Sequence, residues 1–280
     1  MAMASIASSS TAEPNFLYAI LNLASNFNED GHFDKFSWDS FFQIISFYFR
    51  SYLNGRFENQ LVIYLNLNNC FGLKVFENQS SPMLQDNDSF FGMRDGLTTL
   101  LRKDTSTMPS APAGLSVCLS KILCDHYRLQ KIHARLASEI LIINQCSLSS
   151  ARYIPFLNAA FEAQHSRILI NAMDLAAMPN TLLRQAASIT SGTFVSFKFL
   201  NEILPFAFSY SIGDSGRLRP LFNPTLQHDV DFRGACFCHG KSIDIGFVCS
   251  VCLSGNKSIV FSMLSFCSSL LRIFAFLQNL

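Results

Sequence analysis

Charge of either sign is scarce in this 280-residue chain: acidic and basic side chains together make up 15% of it. With 21 basic against 20 acidic residues, there is no overall field to draw it onto nucleic acid or an anionic membrane surface, and no local basic patch supplies one. A glycine-rich, phosphate-cradling loop and a G-x-S-x-G turn are both missing, so the sequence offers no support for nucleotide hydrolysis or esterase chemistry. No internal repeat is visible. The opening MAMASIASSSTAEPN has neither a basic region nor a continuous apolar core. It fails as a secretory signal and reads as a disordered leader over 1–15.

What the chain has in their place is apolar bulk. Twenty-eight phenylalanines and a mean hydropathy of +0.24 imply that much of the surface is buried in a large core or covered by other subunits. The length suits one α/β domain of about 200 residues with a small appendage. Of the nine cysteines, Cys70, Cys118, Cys124, Cys146 and Cys267 are scattered among apolar residues, where a thiol behaves as a small hydrophobe. The other four cluster.

Hydrophobic periodicity sets out the elements. Phe16–Leu23 and Leu61–Leu67 are short apolar runs that suit buried strands, and Phe71–Phe76 reads as a third. Trp38–Leu53 has one apolar face at helical spacing and is closed by Asn54-Gly55. The polar or proline-rich stretches 77–88 and 103–114 bracket a helix around Ser89–Leu101, and Leu115–Ile132 reads as a helix packed on the sheet. From there strands and helices alternate: Glu139–Asn144, Arg152–Gln164, Arg167–Leu175, Asn180–Ser191 and Thr193–Phe197, with Gly192 at the C′ position of the last helix. That rhythm predicts right-handed crossovers and a doubly wound, mostly parallel sheet with helices on both faces. Phe199–Phe208 reads as a final helix interrupted at Pro205, closing a domain over 16–210, and 211–230 as a linker.

Cys249-Ser250-Val251-Cys252 is a C-x2-C knuckle, a spacing that lets two thiolates from one tight turn reach a single Zn²⁺. Upstream, Cys236-Phe237-Cys238-His239 is a second concentration of soft ligands. Together they predict a small zinc-binding module at 231–254, since structural zinc accepts four thiolates, or three and an imidazole. No base and orienting group can be assigned to make any of these cysteines a nucleophile. Asp174 closes a strand where α/β proteins place functional groups, and reads as a capping acid before the helix at Asn180. His126, His133 and His165 read as surface or packing residues.

The stretch DVDFRGACFCHGKSIDIGFVCSVCLS closely resembles the zinc module of the general transcription factor IIH (TFIIH) subunit 3 family. The match rests on CFCH, on Ile245-Gly246-Phe247 and on VCSVCLS occurring in that order. GLSVCLSKILCDHYRLQK, ARLASEILIINQ, YIPFLNAAFEAQHSRILINAMDL and LLRQAASITSGTF are similar to the same family's von Willebrand A-like domain. The resemblance is good over about Gly114–Ser254 and faint over 16–113. It implies a von Willebrand A-like fold followed by a zinc-binding module, in a nuclear, non-catalytic subunit of the TFIIH core. Such a subunit would act in RNA polymerase II initiation and nucleotide excision repair by scaffolding. The implied partners are the other TFIIH core subunits, especially a sister subunit with von Willebrand A and zinc-finger domains; neither sequence-specific DNA binding nor membrane association is expected.

Two departures stand out. In the family VCSVCLS is followed by an Ile-Phe-Cys step and a second C-x2-C pair, whereas here the chain runs GNKSIVFSMLSFCSSLLRIFAFLQNL. That tail, 255–280, supplies only Cys267 and is expected to be a retained intron or a frameshifted read, leaving the four-cysteine finger half complete. The D-x-S-x-S motif that holds Mg²⁺ in von Willebrand A domains is met by Asn22-Leu23-Ala24-Ser25-Asn26, which lacks the aspartate and the spaced hydroxyls. A metal-dependent ligand-binding domain is therefore the weaker alternative. A tail-anchored membrane protein is another, because Ile259–Leu280 is long enough to span a bilayer. However, Arg272 would cost about 2.5–3.5 kcal/mol near the centre, the run holds four serines, and Lys257 is the only basic flank.

Overall fold

β1 (Asn15–Asn22) is followed by a two-residue antiparallel pair, β2 (His32–Phe33) with β3 (Phe36–Ser37), and by α1 (Trp38–Gly55). Next come β4 (Asn59–Asn66), β5 (Leu73–Glu77), α2 (Asn87–Lys103), α3 (Leu115–Gln130) and β6 (Ala137–Asn144). The domain continues with α4 (Tyr153–His165), β7 (Leu169–Asp174), α5 (Thr181–Ile189) and β8 (Phe194–Ser196). A separate pair, β9 (Phe247–Val248) with β10 (Gly255–Asn256), follows in the cysteine region. This computed structural model describes residues 14–23, 32–33, 36–56, 58–67, 71–78, 87–103, 114–133, 136–146, 153–176, 180–205, 247–248 and 255–256. The linker 211–230, Cys236, Cys238, His239, Cys249, Cys252 and the apolar run 259–280 lie outside the described residues.

Six strands form one sheet in the order β5-β4-β1-β6-β7-β8. All neighbours are parallel except β4 and β5, which are antiparallel. The central strands β1, β4 and β6 read as near-continuous apolar runs because both of their faces are covered. Side chains alternate between two cores. Leu17, Ala19, Leu21, Leu61, Ile63, Leu65, Leu141 and Ile143 face α1 and α2, meeting Phe41, Ile45, Phe49, Leu97 and Leu101. Tyr18, Ile20, Val62, Tyr64, Ile140 and Ile142 face α3, α4 and α5, meeting Leu119, Ile122, Phe156, Ala160 and Leu183. The order reverses at β1: the chain winds outward through β4 and then returns to place β6 on the other side. Under the right-handed crossover rule that reversal sends α1 and α4 to opposite faces.

The expected doubly wound architecture is therefore found, with local corrections. The edge strand runs two residues later than Phe71, and it is antiparallel. Arg167, expected to start a strand, lies instead at φ 58 as the turn residue that ends α4. Its neighbour Ile168 donates to the Ala163 carbonyl at 2.8 Å, closing a Schellman motif. α5 ends the same way: Ser191 (φ 58) takes the left-handed C′ position expected for Gly192. Gly192 comes one step later and donates to Ala187 O at 2.7 Å. Glycine is required there for a different reason, since a Cβ would run into the Ile170 carbonyl of β7. After β8 the expected helix from Phe199 is a 3₁₀ turn at Leu200–Glu202 leading into 203–205; residues 206–208 lie outside the described residues. Among the described residues, no helix is long and apolar enough to cross a membrane.

Candidate functional site

The strands end in the same way. NFLYAILN, NQLVIYLN, ASEILIIN and LINAMD close on Asn22, Asn66, Asn144 and Asp174, and the pairing sets these four residues level with one another across the sheet. All four are fully buried. A buried amide must find partners, and these find each other. Asn66 Nδ2 donates to Asn22 Oδ1 at 2.6 Å, Asn22 Nδ2 to Asn144 Oδ1 at 2.5 Å, and Asn144 Nδ2 to Asp174 Oδ1 at 2.8 Å.

The ladder has a direction, and Asp174 sets it. An ionised carboxylate only accepts, so Asn144 must offer its NH₂, which leaves its oxygen for Asn22, and so on to Asn66. Asp174 is itself well supplied: Oδ1 also accepts from the Ala176 N–H at 3.2 Å and Oδ2 from the Asn180 N–H at 2.7 Å. Burial pushes its pKa above the ordinary carboxylate value, opposed by the bonds from Asn144, Asn180 and Ala176 and by Arg184. Asn180 in turn caps α5, its Oδ1 accepting from Leu182 N and Leu183 N. The capping reading of Asp174 is thus found in extended form: it holds the residue that caps the helix. At the other end of the ladder Asn66 Oδ1 has no hydrogen-bond partner among the described residues. It packs on Gly114, the N-cap of α3, where a Cβ would collide with it.

This edge is where von Willebrand A domains hold a divalent ion through an aspartate and hydroxyls. Of the two residues that could open that motif, Asn22 and Ala24, neither is an aspartate, and the Asn22 carboxamide is spent on two neighbouring amides. Ser25 and Asn26 lie outside the described residues. The sequence reading did not find the ladder, although one signal was available: three unrelated apolar runs each close on the same residue type.

Of the histidines, His126 is buried in α3, with Nδ1 2.9 Å from Ser138 Oγ, and desolvation lowers its pKa. His165 is exposed and His133 half-buried. In the cysteine region β9 and β10 pair antiparallel, Val248 with Gly255 and Phe247 with Asn256. Cys249 and Cys252 fall within the six-residue connection they bracket.

The family model described as Transcription factor Tfb4 matches residues 85–269. General transcription factor IIH subunit 3 of Dictyostelium discoideum is 32% identical over 142 residues, 51% of this chain and 38% of that protein. General transcription and DNA repair factor IIH subunit tfb4 of Schizosaccharomyces pombe is 37% identical over 140 residues, 50% of this chain and 46% of that protein. The Arabidopsis thaliana counterpart is 32% identical over 141 residues, again 50% and 46%. The matches thus span less than half the length of these relatives. Among solved structures, the TFIIH p34 N-terminal domain superposes with a TM-score of 0.53 at 22% identity, over 71% of this chain and 97% of that one. A von Willebrand factor type A protein from Catenulispora acidiphila gives 0.51 at 9%, over 74% and 44%. At such identities these two speak for the fold, which is von Willebrand A-like.

Proposed function

This chain belongs to the Tfb4 transcription factor family, and from that premise we propose that it is a non-catalytic structural subunit of the TFIIH core. It acts in the nucleus, in RNA polymerase II initiation and nucleotide excision repair, by holding partner subunits. Its partners are the other core subunits, in particular a sister subunit with von Willebrand A and zinc-finger domains. The observation that carries this reading is the family match across 85–269, which takes in α2 through β8 and the cysteine region. Two features of the molecule support a scaffold. The strand-end polar groups, where an α/β enzyme would place its chemistry, are committed to one another. Large apolar side chains also stand exposed on both helical layers, Phe47 of α1 on one and Phe161 of α4 on the other, as expected for surfaces that other subunits cover.

Within this reading, Cys249 and Cys252 hold a structural Zn²⁺, with the remaining ligands drawn from Cys236, Cys238 and His239. The antiparallel β9–β10 pair supports it, because a hairpin with C-x2-C in its connection presents two thiolates to one ion. Zinc there would stabilise a loop-rich segment too small to fold on hydrophobic burial alone.

Affinity purification of the tagged full chain from nuclear extract tests the function. Stoichiometric recovery of the other TFIIH core subunits is expected, and their consistent absence overturns the reading.

A further inference from the structure

On the α3 face an open cleft of about 790 Å³ is lined from β5 across α3 to Pro155 at the start of α4. One carboxylate, Asp125, and three cations, Lys74, Lys121 and Arg128, are among its lining residues. Asp125 is shared among several donors. It accepts a hydrogen bond from the Tyr64 hydroxyl, and it lies 3.6 Å from Lys74 Nζ and 3.4 Å from Arg128 Nη1. Lys121 does not neutralise itself on a carboxylate here. Its Nζ donates to the carbonyls of Phe71 and Gly72 at 3.1 and 2.9 Å, which fixes its position and leaves its charge. Lys74 is also paired with Glu77 of β5 at 3.3 Å, so Lys74, Lys121 and Arg128 stand against two carboxylates, and among the described residues this face carries one positive charge in excess.

Arg128 has capacity to spare. The Arg128 side chain is 80% exposed, and a guanidinium with five N–H donors has spent one on Asp125 at long range. Val117 on the cleft wall is 39% exposed, and Leu73, 42% exposed, pairs with Leu65 and so lies on the α1 face of β5, opposite Lys74. β5 is the last strand of the sheet, and among the described residues no strand pairs with its outer side. An edge of this kind is open to an added extended segment.

We propose that this cleft is a docking groove for an extended acidic segment of a protein partner, in which carboxylates alternate with apolar side chains. Paired along the β5 edge, such a segment turns its carboxylates to Lys74 and Arg128 on the α3 face and its alternate apolar residues to Leu73 on the other face. The scaffolding reading supplies the class of guest, a protein; the charge pattern supplies its chemistry. A nucleic acid fits less well. Asp125 at the centre repels a continuous run of phosphates, and the Tyr64 ring, the aromatic face in the cleft, is taken by Lys74 at 5.9 Å, so it offers no platform for a base.

The test uses the purified full chain and fluorescence anisotropy with three labelled probes: a ten-residue peptide alternating Asp and Leu, its Lys–Leu counterpart, and a ten-nucleotide oligo-dT. The Asp–Leu peptide should bind, and binding should fall by about tenfold or more in the double variant Lys74→Glu/Arg128→Glu. A comparable loss is expected for Ser120→Trp, which fills the cleft without changing its charge. Circular dichroism identifies any variant that fails to fold. Equal binding of the Lys–Leu peptide, wild-type affinity in both folded variants, or tighter binding of oligo-dT that the same variants abolish would each overturn the groove. Co-purification separates this from the broader reading. A wild-type chain that recovers TFIIH subunits but ignores the Asp–Leu peptide sinks the groove alone. One that binds the peptide but recovers no subunits sinks the scaffold and leaves the groove standing.

Discussion

Asp174 ties the strand-end ladder to the cap of α5, because both of its oxygens are in use. An asparagine has the same shape but only one acceptor oxygen, so Asp174→Asn must turn an NH₂ toward either the Asn180 N–H or Asn144 Nδ2. One buried donor is then left facing another, at a cost of about 1–3 kcal/mol. Urea unfolding of the full chain should show this loss at neutral pH, and an unchanged midpoint would mean that the direction of the ladder is not set by Asp174. His126 makes a second prediction at this scale. Its Nε2 is buried with no hydrogen-bond partner, so the folded chain resists taking up a proton, and the pKa lies below the ordinary 6.5. The native state then binds fewer protons than the unfolded one. Stability from this residue is complete above about pH 6.5 and falls as the pH drops toward the lowered value. His126→Leu should flatten the stability curve in that window; the same acid slope in the variant would assign it to other groups. Little of this was legible from sequence. Asn22, Asn66 and Asn144 each read locally as strand-end residues, and their pairing spans 44 and 122 positions along the chain.

Whole elements were the readable part, since period-2 and period-3.6 patterns need no knowledge of partners. β1, β4 and β6, and all five helices, fall within a few residues of where the apolar spacing puts them. The misses share one physical cause: where an element ends depends on backbone contacts that the sequence does not display. Gly192 was a visible turn signal, but its need arises from the approach of Ile170 O, while the left-handed positions fell to Arg167 and Ser191. That assignment is testable. A non-glycine residue at φ 58 is strained by its Cβ, so Arg167→Gly should raise stability by about 0.5–1 kcal/mol despite the looser unfolded chain. Thermal melting should show an increase; a decrease would mean that the Arg167 side chain contributes more than its backbone strain costs. The orientation of β5 was also hidden, since a short, half-exposed strand carries no mark of its direction.

For the molecule as a whole, the sequence conveyed the doubly wound sheet through its alternating elements, and the cysteine cluster through its spacing. The basic cleft was missed because Lys74, Lys121 and Arg128 lie on two elements and average out against nearby acids in any linear count. The zinc proposal belongs to this scale, because it asks whether a second unit folds beside the sheet. The full chain purified without chelator should carry about one zinc per molecule by elemental analysis, and Cys249→Ser/Cys252→Ser should lose it. Zinc-free wild-type protein would rule out the proposed ligand set. The amide ladder has a consequence for how the sheet assembles. β1, β4 and β6 are eight-residue ribbons of Leu, Ile, Val and Tyr that could slide past one another with little change in apolar burial, and their neighbours come from distant parts of the chain. A strand displaced by one step would turn its asparagine to the other face, and by two would set it against an isoleucine or tyrosine (Ile20, Tyr64 or Ile142), leaving a buried amide without its amide partner at about 1–3 kcal/mol each. The terminal asparagines thus work as an alignment key, a polar mark that lets interchangeable greasy strands recognise when they are level.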